Sequence, residues 1–182
     1  MDKTRNIGIA FLIFVAAMAL VVTASNVLVQ FPINDWLTWG VFTYPVSFLV
    51  TDLTNRRLGS ASARRVVYTG FAAAVILSIV LATPRIALAS GTAFLIAQLL
   101  DVAVFDRLRD RVWWMPPLVS SMIGSVIDTA LFFSIAFAEE GLPWVTWAIG
   151  DLGVKVVMAL VLLLPFRGLL QLTAPQVAQT NQ

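Results

Sequence analysis

The chain has 182 residues, of which 59% are hydrophobic and only 12% charged, with a formal net charge of +2. Soluble domains carry about a quarter charged residues, so a mean hydropathy of +0.89 reads as an integral membrane protein. Cysteine and histidine are both absent, which excludes disulfides, thiolate and imidazole metal sites, Ser-His triads and histidine proton relays, and leaves no metal, cofactor or catalytic group to expect.

A helix needs roughly 20 apolar residues to cross the hydrocarbon core, and six stretches supply them. The first, 7–29, follows Lys3 and Arg5; its apolar run is too long for a cleaved signal, so it reads as a true span. The second, 36–53, contains Pro45, which removes a backbone hydrogen bond and predicts a kink or break. The third is 66–81, with Pro84 beyond it, and the fourth 86–105. The fifth is 118–138, and the sixth, 144–164, is expected to end at Pro165. The connections are short, so 1–182 reads as one transmembrane domain of six α-helices, with the polar tail TAPQVAQTNQ disordered.

Basic residues set the orientation. Lys3, Arg5, Arg56, Arg57, Arg64, Arg65, Arg107, Arg109, Arg111 and Arg167 all fall on one side of this six-span arrangement, and only Arg85 falls on the other. Both termini are therefore expected in the cytoplasm. The pI of about 9.5 reflects this loop bias and does not point to nucleic acid. Tryptophans at 36, 39, 113, 114, 144 and 147 fit interfacial belts.

Polar residues inside the spans carry the functional signal. A charge at the bilayer centre costs at least about 2.5–3.5 kcal/mol and usually faces a partner or a wet cavity. Asp128 has no charged neighbour within ten residues on either side. At 1.5 Å per residue it lies about 15 Å from the inner end of the fifth helix, a depth at which Lys155 of the sixth can meet it. Asp151, one turn from Lys155, is an alternative partner. Asp101 and Gln98 share a face of the fourth helix; Ser121, Ser125, Asp128 and Phe132 share one of the fifth. Gln98-x-x-Asp101-x-Ala103-x-Phe105 loosely parallels Ser125-x-x-Asp128-x-Ala130-x-Phe132. Asp52 is explained equally well by pairing with Arg56 or Arg57 at the headgroups. Asn26 and Gln30 lie one turn apart, and a bond to a neighbouring helix would account for them.

YPVSFLVTDLTNRRLG at 44–59, AQLLDVAVFDRLR at 97–109, SSMIGSVIDTALFFSIAF at 120–137 and VKVVMALVLLLPF at 154–166 together resemble the queuosine precursor transporter family of vitamin-uptake proteins. The resemblance implies a multi-pass protein of the bacterial inner membrane that imports 7-deazapurines such as preQ0 and preQ1 and is no enzyme. Its architecture would be related to the substrate-binding component of energy-coupling-factor transporters. By position it carries over Asn26, Asp52, Asn55, Gln98, Asp101, Asp128 and Lys155; Asp151 is not matched, and Arg56 stands where the family usually has an acidic residue.

The expected substrate site is therefore Asn26, Gln98, Asp101, Ser125, Asp128, Phe132 and Lys155, with Asp52, Asn55 and Asp151 as support or gating residues. A carboxylate of Asp128 or Asp101 can accept both donors of a guanine-like edge, amides of Asn26 and Gln98 can serve its carbonyl, and Phe132 or Phe48 can stack on its face. Lys155 would keep the spare carboxylate ionised. The expected partners are a small purine-like molecule and the lipid bilayer, with a homodimer left open. Two further readings stand beside this one. One is a binding subunit served by a separate ATPase, since no Walker A loop is present. The other is an importer of another vitamin-like heterocycle.

Overall fold

The computed structural model of the chain describes residues 2–81 and 83–172; the tail expected to be disordered lies outside the described residues. The helices are α1 Asp2–Leu28, α2 Gly40–Thr43, α3 Pro45–Leu58, α4 Ser60–Leu81, α5 Pro84–Leu108, α6 Met115–Phe137, α7 Trp144–Val161 and α8 Leu163–Leu172, with no strand among the described residues. Ile7–Leu28, Pro84–Leu108, Met115–Phe137 and the run Trp144–Gln171 are long and apolar enough to cross a membrane. The protein is an all-α, multi-pass membrane protein.

Two of the six expected helices are each divided. The second starts four residues late because residues 31–39 fold back on themselves. Asn34 Oδ1 accepts from the backbone N–H groups of Trp36 and Leu37 at 2.8 and 3.0 Å, and Trp39 N–H donates to Phe31 O at 3.0 Å. This loop docks on α7 at Gly150, where any Cβ would collide with the Trp36 carbonyl oxygen. Pro45 then separates α2 from α3 because it has no N–H to donate; Tyr44 stays helical at the joint, φ −58° and ψ −42°. Together Gly40–Leu58 supplies about the 20 residues a crossing requires.

The sixth is corrected at its end. Pro165 does not stop it: α7 ends at Val161, and α8 restarts with Pro165 in its first turn, where a missing N–H costs nothing. Elsewhere α4, α5 and α6 begin before their apolar runs do, since backbone bonding continues past the apolar stretch. Gly59, at φ +84°, alone makes the turn from α3 to α4.

α3 is the centre of the bundle. It packs against α1, α4, α5, α6, α7 and α8, and every residue from Ser47 to Asn55 is buried. A helix buried all round is normally apolar. This one carries Ser47, Thr51, Asp52, Thr54 and Asn55, and each must find a partner inside the protein. The outer faces are apolar: Leu12, Ile13 and Leu20 of α1 and Ile149, Val157 and Leu160 of α7 are exposed, as a lipid-facing surface requires.

Candidate functional site

The partners of the buried polar residues form two separate nodes. The first is centred on Lys155, which is 3% exposed. Its Nζ donates to Asp128 Oδ2 at 2.8 Å and to Thr129 Oγ1 at 3.0 Å, and pairs with Asp151 Oδ2 at 2.5 Å. An ammonium has three N–H donors, and three acceptors surround it. Thr129 Oγ1 donates in turn to Asp151 Oδ2 at 2.7 Å. Tyr44, at the α2–α3 joint, donates its hydroxyl to Asp128 Oδ1 and lays its ring 4.9 Å from Lys155 Nζ. The depth match of Asp128 and Lys155 is thus realised, and Asp151 joins them. The node thus sets two carboxyl groups against one ammonium.

The second node lies toward the other end of α3. Asp52 accepts from Ser120 Oγ at 3.3 Å and Ser121 Oγ at 3.2 Å, and Asp101 stands beside it. The expected partners of Asp52, Arg56 and Arg57, are occupied elsewhere: Arg56 donates to Arg109 O at 2.8 Å, and Arg57 to Leu169 O and Leu170 O at 3.1 and 2.5 Å. The seam between α3 and α5 is bonded on both sides of this node. Thr51 Oγ1 donates to Gln98 Oε1 at 2.5 Å, and Gln98 Nε2 to Ser47 Oγ at 2.8 Å. Asn55 Nδ2 donates to Val102 O at 3.2 Å and its Oδ1 accepts from Arg109.

Two cavities meet at the first node. One, toward the 31–39 loop, is a small cavity of about 30 Å³ between Ser25, Asn26, Val29, Gly40, Tyr44, Ser90, Asp128, Phe132, Asp151 and Lys155. Ser90 Oγ donates to Asn26 Oδ1 at 2.6 Å on its wall. The other, toward α8, is a cavity of about 20 Å³ between Pro45, Phe48, Asp52, Ser121, Ser125, Lys155, Leu162 and Phe166, among others. Lys155 lines both. Gly124 lets Phe48 into the seam with α6, since a Cβ there would stand 2.6 Å from the ring.

Asn26, Asp128, Phe132, Lys155 and Asp151 therefore gather on the loop-side cavity, and Ser125 and Asp52 line the α8-side one. Gln98, Asp101 and Asn55 line neither; they sit in the α3–α5 seam. Sequence reasoning misses Tyr44 and Thr129. Tyr44 has a signal in its place before Pro45, where a break in the helix frees a side chain to point at the core; Thr129 has only its adjacency to Asp128.

Residues 38–170 match the family described as "Putative vitamin uptake transporter". The chain belongs to this transporter family. It is 38% identical to the queuosine precursor transporter of Escherichia coli, over 83% of this chain and 81% of that one. It is 34% identical to the "Probable queuosine precursor transporter" of Haemophilus influenzae, over 81% and 80%, and 30% identical to the one so named in Bacillus subtilis, over 55% and 56%. No solved structure matches it significantly. A membrane transporter, and not an enzyme, is what these findings describe.

Proposed function

We propose that this protein imports queuosine precursors, 7-deazapurines such as preQ1 and preQ0, across the bacterial inner membrane, with both termini in the cytoplasm. On that orientation the loop-side cavity faces outward and the α8-side cavity faces the cytoplasm. The observation that carries the reading is the composition of the outward cavity. It joins an aromatic edge, Phe132, to an amide, Asn26, a hydroxyl, Ser90, and the ion-paired Asp128 and Asp151.

That set suits a deazaguanine. A carboxylate accepts its ring N–H and exocyclic amine together, Asn26 and Ser90 serve its carbonyl and a neighbouring donor, and Phe132 packs on its face. Two carboxyl groups against a single ammonium leave room for a second cation, which the aminomethyl group of preQ1 supplies and the nitrile of preQ0 does not. Asp128 and Asp151 belong to the binding set, Ser125 and Asp52 to the exit path, and Gln98, Asp101 and Asn55 to the seam behind it. Lys155, on the wall of both cavities, is the partition that substrate must displace, consistent with a site opened alternately to each side.

The test is binding and uptake of radiolabelled preQ1 by the purified chain in liposomes, beside Asp128→Asn and Asn26→Ala. Saturable uptake, lost in Asp128→Asn and weakened in Asn26→Ala with folding intact, is the expected result. Tight binding without uptake would replace the self-sufficient importer by the ATPase-served subunit. Absence of binding would sink the substrate assignment.

A further inference from the structure

The second node contains two carboxyl groups and no cation. Asp52 is 2% exposed and Asp101 0%. Among the described residues, no lysine or arginine forms an ion pair with either. Of the arginines at the seam, Arg56 holds the Arg109 carbonyl, and Arg109 holds Asn55 and Asp106. The α3–α5 bonds at Thr51–Gln98 and Asn55–Val102 bracket Asp52 and Asp101, fixing the two carboxyls on facing sides of one seam. α6 contributes the hydroxyls of Ser120 and Ser121; both donate to Asp52, and Ser120 stands beside Asp101 as well. Both oxygens of Asp101 are buried without a hydrogen-bond partner.

Two adjacent buried carboxylates cannot both stay ionised, because neither desolvation nor mutual repulsion is offset. What the node lacks is one donor and one positive charge, and a proton supplies both. On Asp101 it turns an orphaned acceptor into an O–H that donates to Asp52, whose other donors are already in place.

We propose that the Asp52–Asp101 pair is a proton-binding site that couples substrate import to the proton gradient. Asp52 lines the inward cavity with Ser121 and Lys155, so opening that cavity to the cytoplasm gives the proton its way out. The site is joined mechanically to the Lys155 node. α3 carries Asp52 and, at its N-terminal joint, Tyr44; α6 carries Ser120, Ser121 and Asp128. A change of charge at Asp52 that shifts α3 against α6 therefore reaches the Tyr44–Asp128 bond. The overall event is symport: one substrate and one proton enter together, and no covalent bond changes besides the O–H of the carrier carboxyl.

The uptake arm of the test rests on the substrate reading above, and the spectroscopic arm does not. Infrared spectra of the full chain in lipid, near neutral pH, are expected to show a protonated carboxylic C=O band that disappears in Asp101→Asn or in Asp52→Asn. If both variants keep the band, or the parent lacks it, the proposal fails. In liposomes, an acid-outside gradient is expected to drive accumulation of labelled preQ1, with loss of accumulation on adding a protonophore. Asp101→Asn is expected to bind and exchange preQ1 as the parent does while losing accumulation. Accumulation driven by sodium and indifferent to the protonophore would overturn the proposal and make the pair a metal-cation site. If the parent does not bind preQ1, the substrate reading falls, and the infrared result alone decides the proton site.

Discussion

The bundle holds two pairs of buried carboxyl groups and treats them in opposite ways. Asp128 and Asp151 are neutralised in part by Lys155, which reaches both and fills its remaining valence with Thr129. Asp52 and Asp101 have neighbouring serines and, among the described residues, no ion-paired cation. Both pairs are buried, so the main difference lies in their counter-charge. The first pair is held together by a shared counter-charge and stays organised without any ligand, which suits recognition of a polar base. The second is incomplete until something positive arrives, which suits coupling. The contrast also accounts for the polar residues buried in α3: Ser47, Thr51, Asp52 and Asn55 bond across its seams with α5 and α6.

The comparison is broken most severely at Lys155. Lys155→Met leaves two buried carboxylates facing each other, and loss of one partner from a buried ion pair costs about 3–5 kcal/mol. Thermal unfolding in detergent should show that loss. Adding Asp128→Asn and Asp151→Asn should recover most of it, because apolar or neutral replacements of a whole buried pair are tolerated. A single variant as stable as the parent would mean that Lys155 does not hold the node.

Tyr44→Phe acts next. It removes one hydrogen bond to a charged acceptor, worth about 1.5–3 kcal/mol, and leaves the ring over Lys155 Nζ. Reduced preQ1 affinity together with lower stability is expected, read by isothermal binding and by melting. An unchanged affinity would separate the joint of α2 and α3 from the site.

Asp101→Asn sharpens the contrast from the other side. The amide replaces the donor that a protonated Asp101 would supply, so the cost should stay below about 1 kcal/mol, the size of one neutral hydrogen bond. Asp128→Asn should cost clearly more, since it takes away one of the ligands of Lys155. Equal losses in denaturant titrations would erase the distinction between the nodes.

Much of this architecture is legible in the amino-acid sequence. Apolar runs mark the spans, and the periodicity of α6 puts Ser121, Ser125, Asp128 and Phe132 on one face. Helical rise alone brings Asp128 and Lys155 to one depth. What is not legible depends on which helices touch. Gln98 reads like a ligand in the apolar run of α5, yet its amide is used by Ser47 and Thr51 of α3. Asp52, close in sequence to two arginines, turns away from both, because those guanidiniums find backbone carbonyls of other segments. Pro45 signals a break without saying that the residue ahead of it reaches across to α6. Pro165 looks like a stop because hydropathy does not distinguish the middle of a helix from its first turn.

The smallest expected effect is at Ser121, and it tests the inner node most finely. The hydroxyls of Ser120 and Ser121 reach Asp52 at 3.3 and 3.2 Å, longer than the usual O–H···O contact of about 2.7–2.8 Å. They are weak donors, and single interhelical hydrogen bonds in membrane proteins average about 0.6 kcal/mol. Ser121→Ala should therefore cost about that much. Thr129→Ala should cost more: its hydroxyl sits between Lys155 and Asp151 at 3.0 and 2.7 Å, so its removal takes one hydrogen bond from each member of that ion pair. The two variants differ by a hydroxyl on the same helix, two turns apart. If they melt alike, the ion-paired node owes nothing special to its charges; if Thr129→Ala melts well below Ser121→Ala, the counter-charge is what makes the Asp128–Asp151 pair more rigid than the Asp52–Asp101 pair.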